Sequence, residues 1–96
     1  LTTFRKNHYM TNEQIEKFLE PKQLAITVVK IDFKTRNSIM GIFLKTNDYA
    51  DLKQKNFWRV VSGANLEPWK KTHDNSLARI FNGQEFTKLS IPKSST

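Results

Sequence analysis

Few side chains in this chain stand where they could do chemistry together. His73 and Asp74 are neighbours and could act as a base and the carboxylate that orients it. No Ser or Lys is tied to them by a recognised spacing, and His8 lies far away in the sequence. Asp48 and Asp51, at i and i+3, could hold a cation weakly, but carboxylates at that spacing also suit the positive end of a helix. The chain has no Cys and only 3 Gly, widely scattered. That excludes disulfides, thiolate nucleophiles, thiolate metal sites and a glycine-rich phosphate cradle. The residues therefore point away from an enzyme, and they imply no metal and no cofactor.

A second group pairs aromatic rings with cations. Phe57-Trp58-Arg59 reads as part of a strand, so Trp58 and Arg59 face opposite sides, one toward the core and the other toward solvent. Trp69-Lys70-Lys71-Thr72-His73 reads as a loop. Trp69 there could stack on a base while the lysines meet phosphates, or fold back as a lid on the core. Lys34 and Arg36, in a turn, extend the basic character. The 16 Lys/Arg outnumber the 9 Asp/Glu for a net charge of +7, a surplus that attracts polyanions through steering and counterion release. These features imply a small, basic, non-catalytic binding module with nucleic acid, RNA or DNA, as the favoured partner. Arg36, Arg59, Lys70 and Lys71 are the expected phosphate contacts, and Trp69 is the expected stacking platform. The alternative is a protein–protein interaction or homo-oligomerisation module that pairs strands at an open sheet edge. The absence of a long basic run or recognition helix leaves that alternative open.

The elements that must position these residues follow from hydrophobic patterning. Thr11 with Gln14 forms a capping box, Met10 and Ile15 occupy the staple positions, and Pro21 stops the chain, so 12–20 is expected to be helical. Leu24 to Phe33 is β-branched and apolar enough for a central strand. Ile39 to Lys45 follows as a second strand, where Gly41 suggests a bend or bulge. Residues 46–55 suit either a short helix capped by Thr46 or Asn47 or a long turn. Phe57 to Val61 is a third strand, and one helical turn fits 66–71 with Asn65 as its cap. Leu77–Phe81 and Phe86–Ile91 are the fourth and fifth strands. Asn82-Gly83 between them predicts a type I′ hairpin over 77–91.

A helix followed by five strands, the second of them bent, resembles the SH3-like small barrels and the Sm-like family in particular. Ile80-Phe81-Asn82-Gly83-Gln84-Glu85-Phe86-Thr87-Lys88-Leu89 is similar to that family's second motif, with matching spacing from Gly83 to Phe86 and Leu89. Gly41 followed by Asn47-Asp48 is loosely similar to the first. Asn82 stands where the family has Arg, Asp48 lies one residue late, and no Asn follows it at the family's position. The resemblance implies a small barrel, with the family's base-binding pocket altered at those positions.

The expected fold is α+β: an N-terminal helix packed on a bent antiparallel sheet, or small SH3-like barrel, of about five strands. One domain fills residues 1–96, with 1–9 an arm, 10–91 the folded core and 92–96 a frayed tail. Met10 would serve as a start for the folded part. Ile15, Phe18, Val29, Ile31, Phe43, Val60, Ile80 and Leu89 are expected in the core. No apolar run reaches the roughly 18 residues of a membrane span, and the lack of Cys fits a cytoplasmic protein.

Overall fold

The computed structural model of the chain describes residues 10–22, 24 and 26–92. The expected arm over 1–9 and nearly all of the expected tail over 92–96 lie outside the described residues.

The first element is α1 (Asn12–Leu19), and its start is set locally. Thr11 Oγ1 accepts from Gln14 N at 3.2 Å, and Gln14 Oε1 accepts from Thr11 N at 3.0 Å. Two otherwise orphaned donors at the helix start are thereby satisfied reciprocally. Ile15 and Leu19, one turn apart, carry the buried stripe.

Five strands follow: β1 (Val28–Phe33), β2 (Ile39–Phe43), β3 (Phe57–Ser62), β4 (Arg79–Asn82) and β5 (Phe86–Ser90). All pairings are antiparallel, in the spatial order β4-β3-β2-β1-β5. Between β2 and β3 lies α2 (Tyr49–Gln54), so the ambiguous 46–55 segment is a helix. Between β3 and β4 lies α3 (Leu66–Thr72).

Alternation along the central strands sends apolar side chains to both faces of the sheet. Val29, Ile31, Phe33, Phe43, Trp58 and Val60 fill one face under α1, together with Phe86 and Leu89 of β5. Ile42, Leu44 and Val61 fill the other and are closed off by Trp69 of α3. Trp58 and Arg59 do take opposite faces, with Trp58 buried and Arg59 half-buried.

The sheet is strongly bent. Flat, it would hold β4 and β5 four strand spacings apart, roughly 19 Å. Yet the Phe81 ring of β4 lies 6.5 Å from Phe86 of β5 and 6.0 Å from Phe33 of β1. The sheet curls around this aromatic cluster without closing into a barrel, so β4 and β5 are its edge strands; among the described residues nothing pairs with the outer side of β4, whereas Phe86 O of β5 accepts from Met10 N at 2.8 Å.

Five expectations are corrected. The segment 77–91 is not a hairpin: β4 pairs only with β3 and β5 with β1, on opposite edges. Neither Asn82 nor Gly83 has a positive φ. Asn82 Oδ1 instead accepts from Gln84 N at 2.9 Å and opens a 3-10 turn over Gly83–Glu85. Ile80 is 51% exposed rather than core, because its strand is an edge and it points away from the aromatic cluster. Phe18 is only partly buried against the core. Gly41 makes no bulge, since the ladders on both its sides run through it in register. A Cβ there would sit 2.5 Å from Val60 Cγ1, so glycine permits close strand approach. The register shift falls at Asp32/Phe33 instead. The first strand is also shorter than expected, because its ladder with β2 begins only at Val28, and Ile26 before it is 68% exposed.

Candidate functional site: a groove along the free edge of β4

The site is built on β4. Its register with β3 pairs Phe81 with Trp58 and Arg79 with Val60, so Phe81 and Arg79 share the concave face. Ile80 and Asn82 share the other face, opposite Arg59 and Phe57. Beside this strand runs a groove of about 480 Å³. One end is lined by Ser62, the last residue of β3, and by Ala64 and Asn65 just beyond it. The other end is lined by Phe33, Arg36 and Glu85.

Each wall has a local cause. Arg36 reaches the groove from the turn between β1 and β2, with its guanidinium carbon 4.7 Å from the Phe33 ring centroid and 6.0 Å from that of Phe81. Lying over aromatic rings holds the guanidinium in place and leaves its donors for a ligand. Asn65 is fixed by its side-chain amide, which donates to Leu77 O at 3.0 Å, so it does not cap α3. Asn82 is fixed by the turn bond to Gln84. The lining thus offers two guanidinium groups, two amides, the rings of Phe33 and Phe81 and the exposed aliphatic side chain of Ile80, against one carboxylate. That set suits recognition of an anionic, partly apolar ligand.

The five expected contacts disperse. Arg36 lies in the groove. Lys70 and Lys71 are exposed on the last turn of α3, Lys70 in a solvated pair with Glu67 at 3.6 Å. Arg59 is engaged within the fold, its Nη2 donating to Asp48 Oδ2 at 2.5 Å. Trp69 is 3% exposed, so it offers no face to a base and acts as the lid of the second core face. Its Nε1 donates to Asn75 Oδ1 at 3.1 Å, and its ring packs edge-on against His73 at 4.8 Å. The stacking role is therefore corrected: the apolar face of β2 and β3 needed a cover, and the helix carrying Trp69 supplies it.

The expected base–carboxylate pair of His73 and Asp74 is engaged with other partners. Asp74 directs Oδ1 to Ser76 N and Oγ, at 3.0 and 2.7 Å, and those bonds lower its pKa. His8 lies outside the described residues. Among the described residues no group of three or more acidic or histidine side chains could hold a metal ion. Nor is any helix among them long and apolar enough to cross a membrane. A larger depression of about 640 Å³ lies over α1, lined by Thr11, Glu13, Gln14, Glu16, Lys17 and Glu20. It is the solvated polar face of one helix and has no apolar anchor.

Asp48 carries a testable charge. The Thr46 hydroxyl bonds to it and Arg59 pairs with it, and together they hold its pKa below the ordinary carboxylate value. A depressed folded pKa means the contribution is present above the unfolded pKa, about 3.9, and fades as pH falls through the folded one. Thermal unfolding of Asp48→Asn should therefore show a deficit at pH 7 that shrinks below about pH 4. A deficit independent of pH would mean that Asp48 contributes packing and not charge.

Arg79 was not singled out from sequence, and Phe81, Asn65 and Asn82 were read there as strand, cap and turn residues rather than as site residues. The signal at Arg79–Asn82 was its alternation, and the meaning of that depends on β4 being an edge. Compared with known protein families, curated proteins and solved structures, the chain matches none.

Proposed function

We propose that this chain is a non-catalytic binding module that holds a segment of a protein partner in the groove along β4. One observation carries this: a sheet edge that nothing among the described residues pairs with, with an exposed Ile80 at its middle, is flanked by Arg36, Arg79 and Phe81 in one continuous groove. Exposed apolar side chains on unprotected edges are aggregation hazards, and proteins generally retain them where a partner covers them.

A second reading keeps nucleic acid as the partner. It is favoured by the net charge of +7, by the exposed Arg36, Lys70 and Lys71, and by the Sm-like resemblance. Two of its five expected contacts, Arg59 and Trp69, are engaged within the fold, so we place it second.

The two are separated by a photo-crosslinking amino acid at position 80, with position 17 on α1 as control. The expected result is protein adducts at 80 that are absent at 17 and lost in the Arg36→Ala/Arg79→Ala variant. Binding of RNA and DNA should not exceed that of a charge-matched control protein. Specific nucleic-acid binding whose salt slope flattens on replacing Lys70 and Lys71, with no adduct at 80, would overturn the protein-partner reading.

A further inference from the structure

We infer that the occupant of the groove is an extended acidic peptide that adds to β4 as a sixth, antiparallel strand. The inference rests on the protein-partner reading above and specifies its chemistry.

The backbone comes first. Leu44 N donates to Arg59 O at 2.9 Å, so the main-chain groups of Arg59 point toward β2. In an antiparallel pair the residue opposite, Ile80, is then in a non-hydrogen-bonded position. Its N–H and C=O project outward from the free edge. The Gly83 N to Asn56 O bond at 2.7 Å sets the same phase from the other end of the strand. Among the described residues nothing pairs with that edge, and β4 carries no proline or bulge to blunt it.

Side-chain chemistry then selects the strand. The residue opposite Ile80 shares its face and should be apolar. The residues on either side lie opposite Arg79 and Phe81, on the concave face where Arg36 sits over Phe81. Acidic side chains at both positions would meet the two guanidinium groups. Glu85 lines the groove beyond Asn82 and disfavours a further acid there. The preferred pattern is therefore acidic–apolar–acidic with neutral ends. A second copy of this chain fits poorly, because its other edge strand, β5, presents Lys88 and no carboxylate, and its Phe86 O already accepts from Met10 N.

The probe is an acetylated and amidated peptide, Thr-Glu-Val-Glu-Thr, titrated into ¹⁵N-labelled protein. Amide shifts should change along 79–82 and at Arg36 and leave α1 unmoved. Arg36→Ala or Arg79→Ala should each weaken binding at least about fivefold. N-methylation of the Val removes the one peptide N–H that meets Ile80 and should weaken binding about tenfold or more, whereas N-methylation of the second Glu, whose N–H faces solvent, should not. Equal tolerance of both methyl groups would overturn strand addition while leaving the groove as a binding site. Failure of this peptide and its shuffled forms to bind, alongside crosslinked adducts at position 80, would overturn the acidic strand but not the protein-partner reading. Sedimentation showing a dimer that position 80 controls would assign the edge to a second copy and overturn the inference.

Discussion

Trp69→Ala is expected to cost about 3–5 kcal/mol of folding stability, the range for deleting a buried aromatic ring. The ring is nearly fully enclosed by Ile42, Leu44 and Val61, with Leu66, Leu77 and Ala78 around them. These residues, with Val28, make up the second core face, and little else among the described residues could collapse into the space. The lost Nε1 bond adds little, because Asn75 is exposed and water can replace it. Chemical denaturation measures the cost directly. A loss below about 0.5 kcal/mol would place the ring in solvent and revive it as a stacking platform. The two roles separate cleanly, since a stacking Trp lowers nucleic-acid affinity with stability intact, whereas a lid lowers stability with the residual charge-driven affinity unchanged.

What the sequence made legible was what short-range chemistry decides. The capping box at Thr11 and Gln14 acts over three residues, and the helix begins there. The β-branched run ending at Phe33 has no better conformation than a strand, and the core residues Val29, Ile31, Phe43 and Val60 follow from its alternation and that of its neighbours. Asn82-Gly83 misled for a physical reason. The pair is compatible with a hairpin, but which strand accepts β4 is settled by tertiary pairing, and β3 is already adjacent. Asn82 could use its side chain to close a different turn, and it did. Ile80 followed from that error, because a residue in the middle of an apolar run is buried only if both its strand's faces are covered. The groove was illegible for the same cause. Arg36 and Arg79 are remote in sequence, and they line one groove only because the curled sheet brings the β1–β2 turn toward its own edge strand.

The other large effect is expected at Trp58, which is 1% exposed. Its ring meets Phe43 and Tyr49 edge-on, at 6.1 and 6.0 Å. Its Nε1 donates to Asn56 Oδ1 at 2.8 Å. Asn56 itself has a left-handed φ of 63°, its Nδ2 donates to Met10 O at 3.3 Å, and its carbonyl accepts from Gly83 N. One asparagine thus ties the entry to α1, the start of β3 and the turn between β4 and β5. Trp58→Ala would open a cavity and leave Oδ1 without its donor, for a combined cost of about 3–5 kcal/mol or slightly more. Trp58→Phe keeps most of the ring and loses the donor, so about 1–3 kcal/mol is expected. Gly83→Ala attacks the same junction from the other side. Its Cβ would fall 2.1 Å from Asn56 Oδ1 and 2.7 Å from Ile15 Cδ1. Ile15 is fully buried and Asn56 is held by its bonds, so neither yields easily, and overpacking should cost about 1–3 kcal/mol. Because Trp58→Phe and Gly83→Ala both act through Asn56, their costs should fall short of additive in a double-mutant cycle. Strict additivity would mean that Asn56 does not couple the two, and that the β4–β5 turn is held by the aromatic cluster of Phe33, Phe81 and Phe86 alone.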